Sequence, residues 1–419
     1  MRVALLSTIE PSADDPATPR GFVRVAGRSI VQHQLGAVLA IGAERVICIA
    51  EGLPGELIAL QHAAERAGLN FQIAANARGL ARLVGPDDEL FVLLDGLLAM
   101  PEEVKALSGS LAGPGSVVLV QLVEQGVASG YERIDLNHAA AGLLRMPGRL
   151  VARLAELPAE WNPQSALLRI AVQAGLPQRV LPGELADSAR WNLVRGEDDA
   201  HRIEPPWLRL HTVGEAPGSD LTHQGPGAAT AGWLVRRLGP GLLHAGTKPS
   251  LVAAGAGMIG LFALGAAWFS WSTLAFVLLA AAGVVRRMAA LLERIERDSF
   301  RTDRARFGDI LSWLIDALFV VATTWRALGT PALGVSIYAA GFAALVLFGM
   351  LRLLSRSAAP ARLRGWFSDR LLAGLGLAAA SLTNVFGLAL MGACLILLLI
   401  ALLADGTAAD AAENRAPSG

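Results

Sequence analysis

The sequence has few cysteines, few lysines and no net charge. Its two cysteines, Cys48 and Cys394, lie far apart in apolar stretches without metal-ligand spacing, which argues against a disulfide framework or a zinc motif. The 36 basic and 36 acidic residues balance, so composition gives no support for nucleic acid as a partner. The apolar run at residues 1–10 is too short for a signal peptide and predicts a β-strand instead.

Hydrophobic residues, by contrast, are abundant and unevenly distributed. They make up 53% of the 419 residues, and mean hydropathy is +0.47, which is too high for an ordinary soluble protein. The excess follows Lys248. The length leaves room for two or three domains, so we expect a soluble N-terminal part and a membrane-embedded C-terminal part.

Residues 1–210 alternate short apolar runs with stretches of helical periodicity. Strands separated by helices of this length predict an α/β domain with a mostly parallel sheet and helices on both faces. Ligands of such sheets bind beyond the carboxyl ends of the strands, where Asp95 and residues 7–21 are expected. The predicted strands cover residues 3–6, 45–50, 70–73, 89–94 and 116–122.

Three stretches of this domain resemble the nucleotidyltransferases that make nucleotide-activated sugars and polyols. Residues 21–50 (GFVRVAGRSIVQHQLGAVLAIGAERVICIA) are similar to the family's turn, helix and second strand, and residues 190–204 (RWNLVRGEDDAHRIE) to its closing element. Residues 90–104 (LFVLLDGLLAMPEEV) resemble the strand whose terminal Asp binds a metal beside the nucleotide. The resemblance implies that Asp95 takes this place; an Asp that caps a turn is the equal alternative.

The segment that should hold the nucleotide phosphates departs from this family. A phosphate cradle needs backbone N–H groups without a nearby Cβ, but residues 7–20 (STIEPSADDPATPR) contain no glycine and three acids. The second metal carboxylate, expected near the closing element, falls at Arg195. We therefore expect this half of the chain to be catalytically inactive.

Composition changes again after residue 210. Residues 211–248 are rich in Gly, Pro, Thr and Ser and predict a flexible linker. The linker includes a short basic and aromatic segment at residues 233–243, which suits the membrane interface before a first span.

Residues 249–405 predict an all-α membrane domain. A span needs about 20 apolar residues, and the long charge-free runs at 250–285 and 371–404 each offer room for two spans. Residues 310–325 and 332–351 add one each, so we expect six transmembrane helices, followed by a disordered tail from residue 406.

Arginine is concentrated between the second and third predicted spans and between the fourth and fifth. Arginine-rich loops of membrane proteins face the cytoplasm. Six spans then place both termini and the soluble domain in the cytoplasm. We expect a multi-pass protein of the inner, cytoplasmic membrane that contacts membrane lipids.

Residues 291–318 (LLERIERDSFRTDRARFGDILSWLIDAL) join the second and third spans and carry Asp316 into the third. A carboxylate inside a span is costly and marks a functional site by default. Acids three or four residues apart lie on one helical face. Glu293 and Glu296 have this spacing, and Asp309 lies seven residues before Asp316 on the same face.

Six spans with an acidic helix between the second and third resemble the CDP-alcohol phosphatidyltransferases. Their signature is D-x-x-D-G-x-x-A-R, eight residues, then G-x-x-x-D-x-x-x-D. Residues 306–316 (RFGDILSWLID) match its second half, with Gly308 as the glycine and Asp316 as the last Asp. The third Asp of the signature falls on Ser312.

The first half of the signature fits the chain in two registers. Keeping the family spacing places Leu291 and Arg294 in the first two acidic positions, and the site is then inactive. A deletion of two residues places Glu293 and Glu296 there instead, with Arg301 as the family arginine. We prefer the second register, although these charged residues also fit a solvated, salt-bridged helix at the membrane surface.

The resemblance implies two divalent metals, Mg²⁺ or Mn²⁺, on the pyrophosphate of a CDP-alcohol. Asp316 would be the catalytic base for the acceptor hydroxyl, and Arg301 and Gly308 would contact the nucleotide-activated alcohol. The implied metal ligands are Glu293, Glu296, Asp309, Ser312 and Asp316.

Two functions from different classes follow. The first is a membrane transferase of phospholipid or polyol-phosphodiester synthesis, which moves a phosphoalcohol from a CDP-alcohol to a lipid or polyol hydroxyl and releases CMP. The second is a catalytically degenerate scaffold or regulator of a lipid-synthesis pathway. A transporter is a weaker third hypothesis because one predicted span carries an acid and the two halves show no repeat. Whether the chain forms a homodimer stays open.

The predicted orientation can be tested by cysteine labelling. Replacing Thr330, between the third and fourth predicted spans, by Cys should make the chain reactive with an impermeant thiol reagent applied from outside the cell. A cysteine in place of Thr302, in an arginine-rich loop, is the control and should react only in inverted vesicles. Labelling of Thr330→Cys from the cytoplasmic side would contradict this topology.

Overall fold

The computed structural model of the chain describes residues 1–109, 115–158, 161–212, 225–244, 247–297, 306–329, 336–356 and 361–413. The chain divides into two compact units. The first consists mainly of Met1–Leu210 and the second mainly of His211–Gly241, Gly246–Glu293 and Arg304–Gly419.

The first unit is built on strands and helices that alternate along the chain. Its strands are β1 Arg2–Ser7, β2 Arg24–Val25, β3 Arg28–Ser29, β4 Arg45–Ile49, β5 Asn70–Ala74, β6 Glu89–Leu93, β7 Leu97–Ala99, β8 Val117–Leu122, β9 His138–Pro147, β10 Gln178–Val180 and β11 Trp191–Leu193. Its helices are α1 Ile30–Ala40, α2 Gly55–Arg66, α3 Ala77–Leu83, α4 Pro101–Gly109, α5 Val123–Ala128, α6 Gly148–Val151, α7 Pro163–Gln173, α8 Gly183–Ala186 and α9 Glu197–Thr212.

Seven strands form the central sheet in the order β10-β8-β9-β6-β1-β4-β5. Neighbouring strands are parallel except at β9, which runs antiparallel to both β6 and β8. The predicted α/β fold with a mostly parallel sheet is therefore confirmed. The sequence did not predict β9 or β10, nor the small β7–β11 sheet.

Burial on both faces explains why the central strands are continuous apolar runs. Successive side chains of a strand point to opposite faces. In β1, Ala4 and Leu6 belong to the core cluster that includes residues of α1 and α2, whereas Val3 and Leu5 belong to the cluster that includes residues of α3 and α7. A sheet covered by helices on both sides leaves no polar face to alternate with.

The second unit is helical. Its helices are α10 Pro226–His244, α11 Pro249–Trp268, α12 Ser272–Arg297, α13 Arg306–Leu328, α14 Ile337–Arg356, α15 Ala361–Phe367, α16 Arg370–Ser381 and α17 Phe386–Glu413. In the described part of the chain, five helices are long and apolar enough to cross a membrane, namely α11 to α14 and α17.

The prediction of six spans was wrong at residues 371–404. The chain does break between two helices near residue 383, but this break divides the run unequally. The preceding helix, α16, has 12 residues, which at 1.5 Å per residue is shorter than the roughly 30 Å of a bilayer core. Because the placement of both termini in the cytoplasm depended on six spans, it stays a prediction.

Parts of the predicted linker and tail are helical. The basic and aromatic segment expected at the interface lies within α10, and α17 continues to Glu413, into the predicted tail. Residues 213–224 and 414–419 lie outside the described residues.

Asp369 joins the beginnings of two helices in the second unit. One carboxylate oxygen accepts the N–H of Gly227 in α10 at 2.6 Å, and the other accepts the N–H of Leu371 in α16 at 2.9 Å. A carboxylate at a helix N-terminus satisfies free N–H groups and interacts favourably with the helix dipole. A Cβ at Gly227 would collide with the Asp369 carboxylate, so this contact requires glycine.

We therefore expect Gly227→Ala to lower the thermal stability of the detergent-solubilised chain, since it must displace the buried Asp369 carboxylate. Gly241→Ala is a matched control in the same helix, where a Cβ meets nothing within 4 Å. It should leave stability unchanged or raise it by about 0.5–1 kcal/mol. Equal melting temperatures for the two variants would show that the contact does not stabilise the fold.

Candidate functional site

Asp95 follows β6 at the carboxyl edge of the sheet and is fully buried. Its Oδ2 accepts hydrogen bonds from the Ser7 hydroxyl at 3.3 Å and the Glu10 N–H at 3.0 Å. The Asp95 N–H donates to Oε1 of Gln164 at 2.9 Å. Its Oδ1 has no hydrogen-bond partner among the described residues. Asp95 thus lies at the predicted edge, with one oxygen engaged by the residues 7–20 segment.

Burial controls the protonation of this carboxyl group. It raises the pKa of Asp95 to about 7, against the Glu10 N–H and the Arg20 charge, which lower it. Arg20 is half-buried, and its Nε is shielded from solvent without a hydrogen-bond partner in the described structure. A carboxyl group that is about half protonated near pH 7, with a cation beside it, is a poor ligand for a divalent metal.

The acidic segment that precedes Arg20 packs against the closing element. The Ala13 N–H donates to the Arg195 carbonyl at 2.8 Å, and the Asp14 carboxylate accepts the Asp198 N–H at 3.3 Å near the start of α9. Asp14 therefore occupies a helix N-terminus that could otherwise accept an anion. The residues in the position of a phosphate cradle instead make internal contacts.

Arg195 is held by the acid of the closing element. Its Nε donates to Oδ2 of Asp199 at 2.9 Å, and Arg202 lies 3.2 Å from the other oxygen. The position that would carry a second metal carboxylate is thus a cation with its own partner. No three His, Cys, Asp or Glu side chains in the described residues are close enough to hold a metal ion. Together with the surroundings of Asp95, this does not fit a divalent metal in the first unit.

A cavity of about 200 Å³ lies beside the Asp95 region. It is smaller than the roughly 300–1,000 Å³ of typical ligand pockets. Its polar lining residues include Glu10, Arg20, Glu132, Asn162 and Gln164. The Glu10 carboxylate and the Asn162 amide are hydrogen-bonded to each other.

In the second unit, Asp316 lies buried in α13 between two arginines. Its Oδ2 accepts Nε–H of Arg352 at 2.6 Å and Nη2–H of Arg370 at 3.0 Å, and its Oδ1 accepts Nε–H of Arg370 at 2.6 Å. Both carboxylate oxygens are therefore engaged by charged donors. Such charge-assisted bonds are roughly twice as strong as neutral ones.

Ser312 lies one helical turn before Asp316 and shares one of these arginines. Nη2 of Arg352 donates to the Ser312 hydroxyl at 3.2 Å. The Arg352 guanidinium also stacks on the Trp313 ring, 3.5 Å from its centroid. Ser312 and Asp316, which the sequence predicted together, are thus brought together by a cation that the sequence did not assign to the site.

The remaining predicted residues of the membrane site are placed only in part. Glu293 is half-buried in α12, and Gly308 lies within α13. Arg301 and the side chains of Glu296 and Asp309 lie outside the described residues. Their roles in metal and nucleotide binding stay predictions.

A divalent metal does not fit at Asp316 as the structure places it. Both oxygens already accept N–H groups from two guanidinium ions, which would repel a second cation at this distance. The same contacts leave the carboxylate poorly placed to take a proton from an acceptor hydroxyl. The arrangement is that of a buried ion cluster that links three helices.

Arg352 and Arg370 were missed as site residues. In the sequence they belong to the arginine-rich loop between the fourth and fifth predicted spans, which served to orient the chain. They flank the charge-free runs at 332–351 and 371–404. An arginine at the end of a long apolar run is typical of a helix end at the membrane interface, where its guanidinium group reaches water. The same pattern fits an arginine that reaches back to a buried acid. No pattern in the sequence indicated that both side chains point to Asp316.

Solved structures similar to this chain over its N-terminal half are nucleotidyltransferases. UTP-bound UGPase from Acinetobacter baumannii is 12% identical with a TM-score of 0.37, and covers 52% of this chain and 95% of its own. The inositol-1-phosphate CTP transferase from T. maritima is 14% identical with a TM-score of 0.36, and covers 49% of this chain and 96% of its own. No protein-family model and no curated protein matches the sequence.

The raised pKa of Asp95 predicts how the stability of the first unit depends on pH. The folded state binds the Asp95 proton more tightly than the unfolded state, so stability falls as pH rises from about 4 through about 7. Asp95→Asn keeps a neutral side chain and should not show this fall. Its advantage over the native chain should grow across this window, by on the order of 4 kcal/mol at most.

Hydrogen exchange of the β1 and β6 amides in the full chain, compared between Asp95→Asn and the native protein at several pH values, measures this difference. All other titrating groups are common to both proteins, so the difference isolates Asp95. A difference that does not change with pH would show that Asp95 ionises normally.

The ion cluster predicts strong coupling between Asp316 and Arg370. Asp316→Asn leaves two guanidinium groups without their acid and should destabilise the chain by about 3–5 kcal/mol. The double variant with Arg370→Gln removes one charge of each sign. It should lose less stability than the two single variants together, by about 1–3 kcal/mol.

Thermal unfolding of the four proteins in detergent micelles measures this coupling. Ser312→Ala is the control, because it removes a single hydrogen bond and should cost about 1 kcal/mol. Additive losses in the double variant would mean that the two side chains do not form a buried pair in the protein.

Proposed function

We propose that this chain is a catalytically degenerate membrane protein that acts as a scaffold or regulator in lipid synthesis and does not transfer groups itself. One observation carries the proposal: both oxygens of Asp316 accept hydrogen bonds from Arg352 and Arg370. Asp316 is the residue that a transferase of the resembled family would use as its base.

Freeing Asp316 for catalysis would be costly. A base needs an unoccupied oxygen within hydrogen-bond reach of the acceptor hydroxyl. Releasing that oxygen means separating the carboxylate from at least one guanidinium group in a buried, low-dielectric place, and breaking a buried pair typically costs 3–5 kcal/mol. The arrangement therefore favours a structural role for Asp316.

Contacts in the first unit support the same proposal. Asp14 binds near the start of α9, Arg195 pairs with Asp199, and Asp95 is buried beside Arg20. Each position that nucleotide transfer would need has an internal partner or lacks access. A lipid-synthesis setting is supported by the resemblance of residues 306–316 and by the five helices of the described residues that are suited to a membrane.

A second candidate is the transferase itself, acting on a CDP-alcohol and a lipid or polyol hydroxyl with release of CMP. One observation favours it: Arg352 contacts both Ser312 and Asp316, so movement of this one arginine would expose two positions that the resemblance assigns to metal binding. Mg²⁺ or Mn²⁺ would then neutralise the pyrophosphate, with Glu293 and the acids outside the described residues as further ligands.

CMP release separates the two candidates. The purified full chain in phospholipid vesicles, given a panel of CDP-alcohols with Mg²⁺ or Mn²⁺, should release no more CMP than the Asp316→Asn variant. Pyrophosphate release from CTP and polyol phosphates should likewise stay at background. Metal-dependent CMP release that Asp316→Asn abolishes would overturn the proposal and establish the transferase.

Lipid analysis of cells provides the positive test of a scaffold role. Cells that lack the chain should show an altered lipid profile. Ser312→Ala, which removes a side chain that the resemblance assigns to metal binding at a cost of about 1 kcal/mol, should restore it. An unchanged profile in cells that lack the chain, or rescue by the native chain alone, would contradict a non-catalytic role in lipid synthesis.

A further inference from the structure

Four arginines from three helices lie close to Asp316 or to Asp369. Arg286 and Arg287 lie in α12, Arg352 in α14 and Arg370 at the start of α16. We call these four residues the arginine cluster. Gly283, about one turn before Arg286 in α12, packs against Arg370, since an added Cβ there would lie 2.9 Å from the Arg370 Cβ. Arg287 donates to the Ser368 carbonyl at 2.6 Å, next to Asp369. The charges of Asp316, Arg352 and Arg370 all act on Arg286.

The arginine cluster carries more positive charge than its acids balance. The carboxylates that act on it in the described structure are Asp316 and Asp369, which leaves an excess of two positive charges. Asp369 is also engaged with the N–H groups that begin α10 and α16. Arginine does not lose its proton in proteins, so this excess cannot be relieved by titration.

Arg286 is the member of the arginine cluster whose N–H donors have no acceptor among the described residues. It is half-buried, and it makes no hydrogen bond or ion pair with any other residue that the structure describes. The other three are fixed by Asp316, Ser312 or Ser368. A guanidinium group has five N–H donors in a fork that matches the oxygens of a phosphate.

The cluster lies well away from the aromatic end of the helices. At that end Trp268 and Trp325 stack with ring centroids 5.0 Å apart, where α11 and α13 finish. Arg286 is 14 residues beyond the start of α12, about 21 Å along the helix. This depth lies near the opposite surface of a bilayer, where phosphate groups of lipids and of soluble ligands are both within reach.

We propose that the arginine cluster binds a phosphate group directly, through Arg286 together with Arg352 and Arg370, and without a metal ion. This site deepens the proposed function: a phosphate held by guanidinium groups replaces the metal-held pyrophosphate of a transferase and gives the degenerate protein a ligand to sense or present. The phosphate comes either from an anionic phospholipid headgroup or from a soluble phosphate compound, since both offer the same oxygens.

Two arms distinguish these sources, both with the full chain and both repeated with EDTA. In the first, nanodiscs of phosphatidylcholine with and without phosphatidylglycerol are compared by native mass spectrometry for phosphatidylglycerol retained on the protein. In the second, the chain in maltoside micelles is titrated with inorganic phosphate against chloride at equal ionic strength, and the melting temperature is followed. Retention or stabilisation in one arm identifies the source.

Arg286→Gln should weaken phosphate binding at least tenfold in the responding arm, and Arg286→Lys should weaken it less because it keeps the charge but not the fork. Arg364→Gln, on an exposed residue of α15, is the matched control and should bind as the native chain does. EDTA should change nothing. Because Arg286 lacks a described partner, both Arg286 variants should keep the native melting temperature in the absence of phosphate.

Absence of binding in both arms would overturn the inference, as would loss of binding in EDTA or equal binding by Arg286→Gln and Arg364→Gln. These outcomes are separate from those of the CMP assay. A chain that releases no CMP and binds no phosphate contradicts the phosphate site alone, whereas metal-dependent CMP release contradicts the proposed function whatever the phosphate result.

Discussion

A carboxylate between two guanidinium groups organises the second unit of this protein. Asp316, Arg352 and Arg370 come from α13, α14 and α16, and their hydrogen bonds are between 2.6 and 3.0 Å long. In an apolar helical bundle each of these charges would be very costly alone. Their mutual contact therefore fixes how three helices approach one another, and the same contact removes the acid from solvent, metal and substrate.

The first unit shows the same internal use of polar groups. The resemblance assigns its acidic segment, residues 7–20, to the place of a phosphate cradle, but Asp14 accepts an N–H near the start of α9. Arg195 stands at the position of an expected metal carboxylate and pairs with Asp199. In both units, residues that the resemblances assign to ligand binding have partners within the protein, and these contacts stabilise the fold.

Arginines in place of metal ions change what the second unit can bind. Two bound divalent metal ions would attract a pyrophosphate by their positive charge. The site would lose this charge whenever the metal ions dissociate. Arginines supply it permanently, because a guanidinium group stays protonated at any physiological pH. The proposed site of Arg286, Arg352 and Arg370 would thus keep its affinity for phosphate without a metal ion.

Local signals in the sequence predict the two-part architecture. Continuous apolar strands indicated a sheet covered on both faces, and charge-free runs indicated membrane helices, because both signals are local and depend on burial alone. Two other features depend on contacts between residues that are distant in the sequence. Residues 371–404 divide into helices of unequal length, since α16, which begins at Arg370 after the Asp369 cap, already ends at Ser381. Arg352 and Arg370 are 36 and 54 residues from Asp316, and whether an arginine at a helix end reaches into solvent or back to a buried acid depends on how the helices pack.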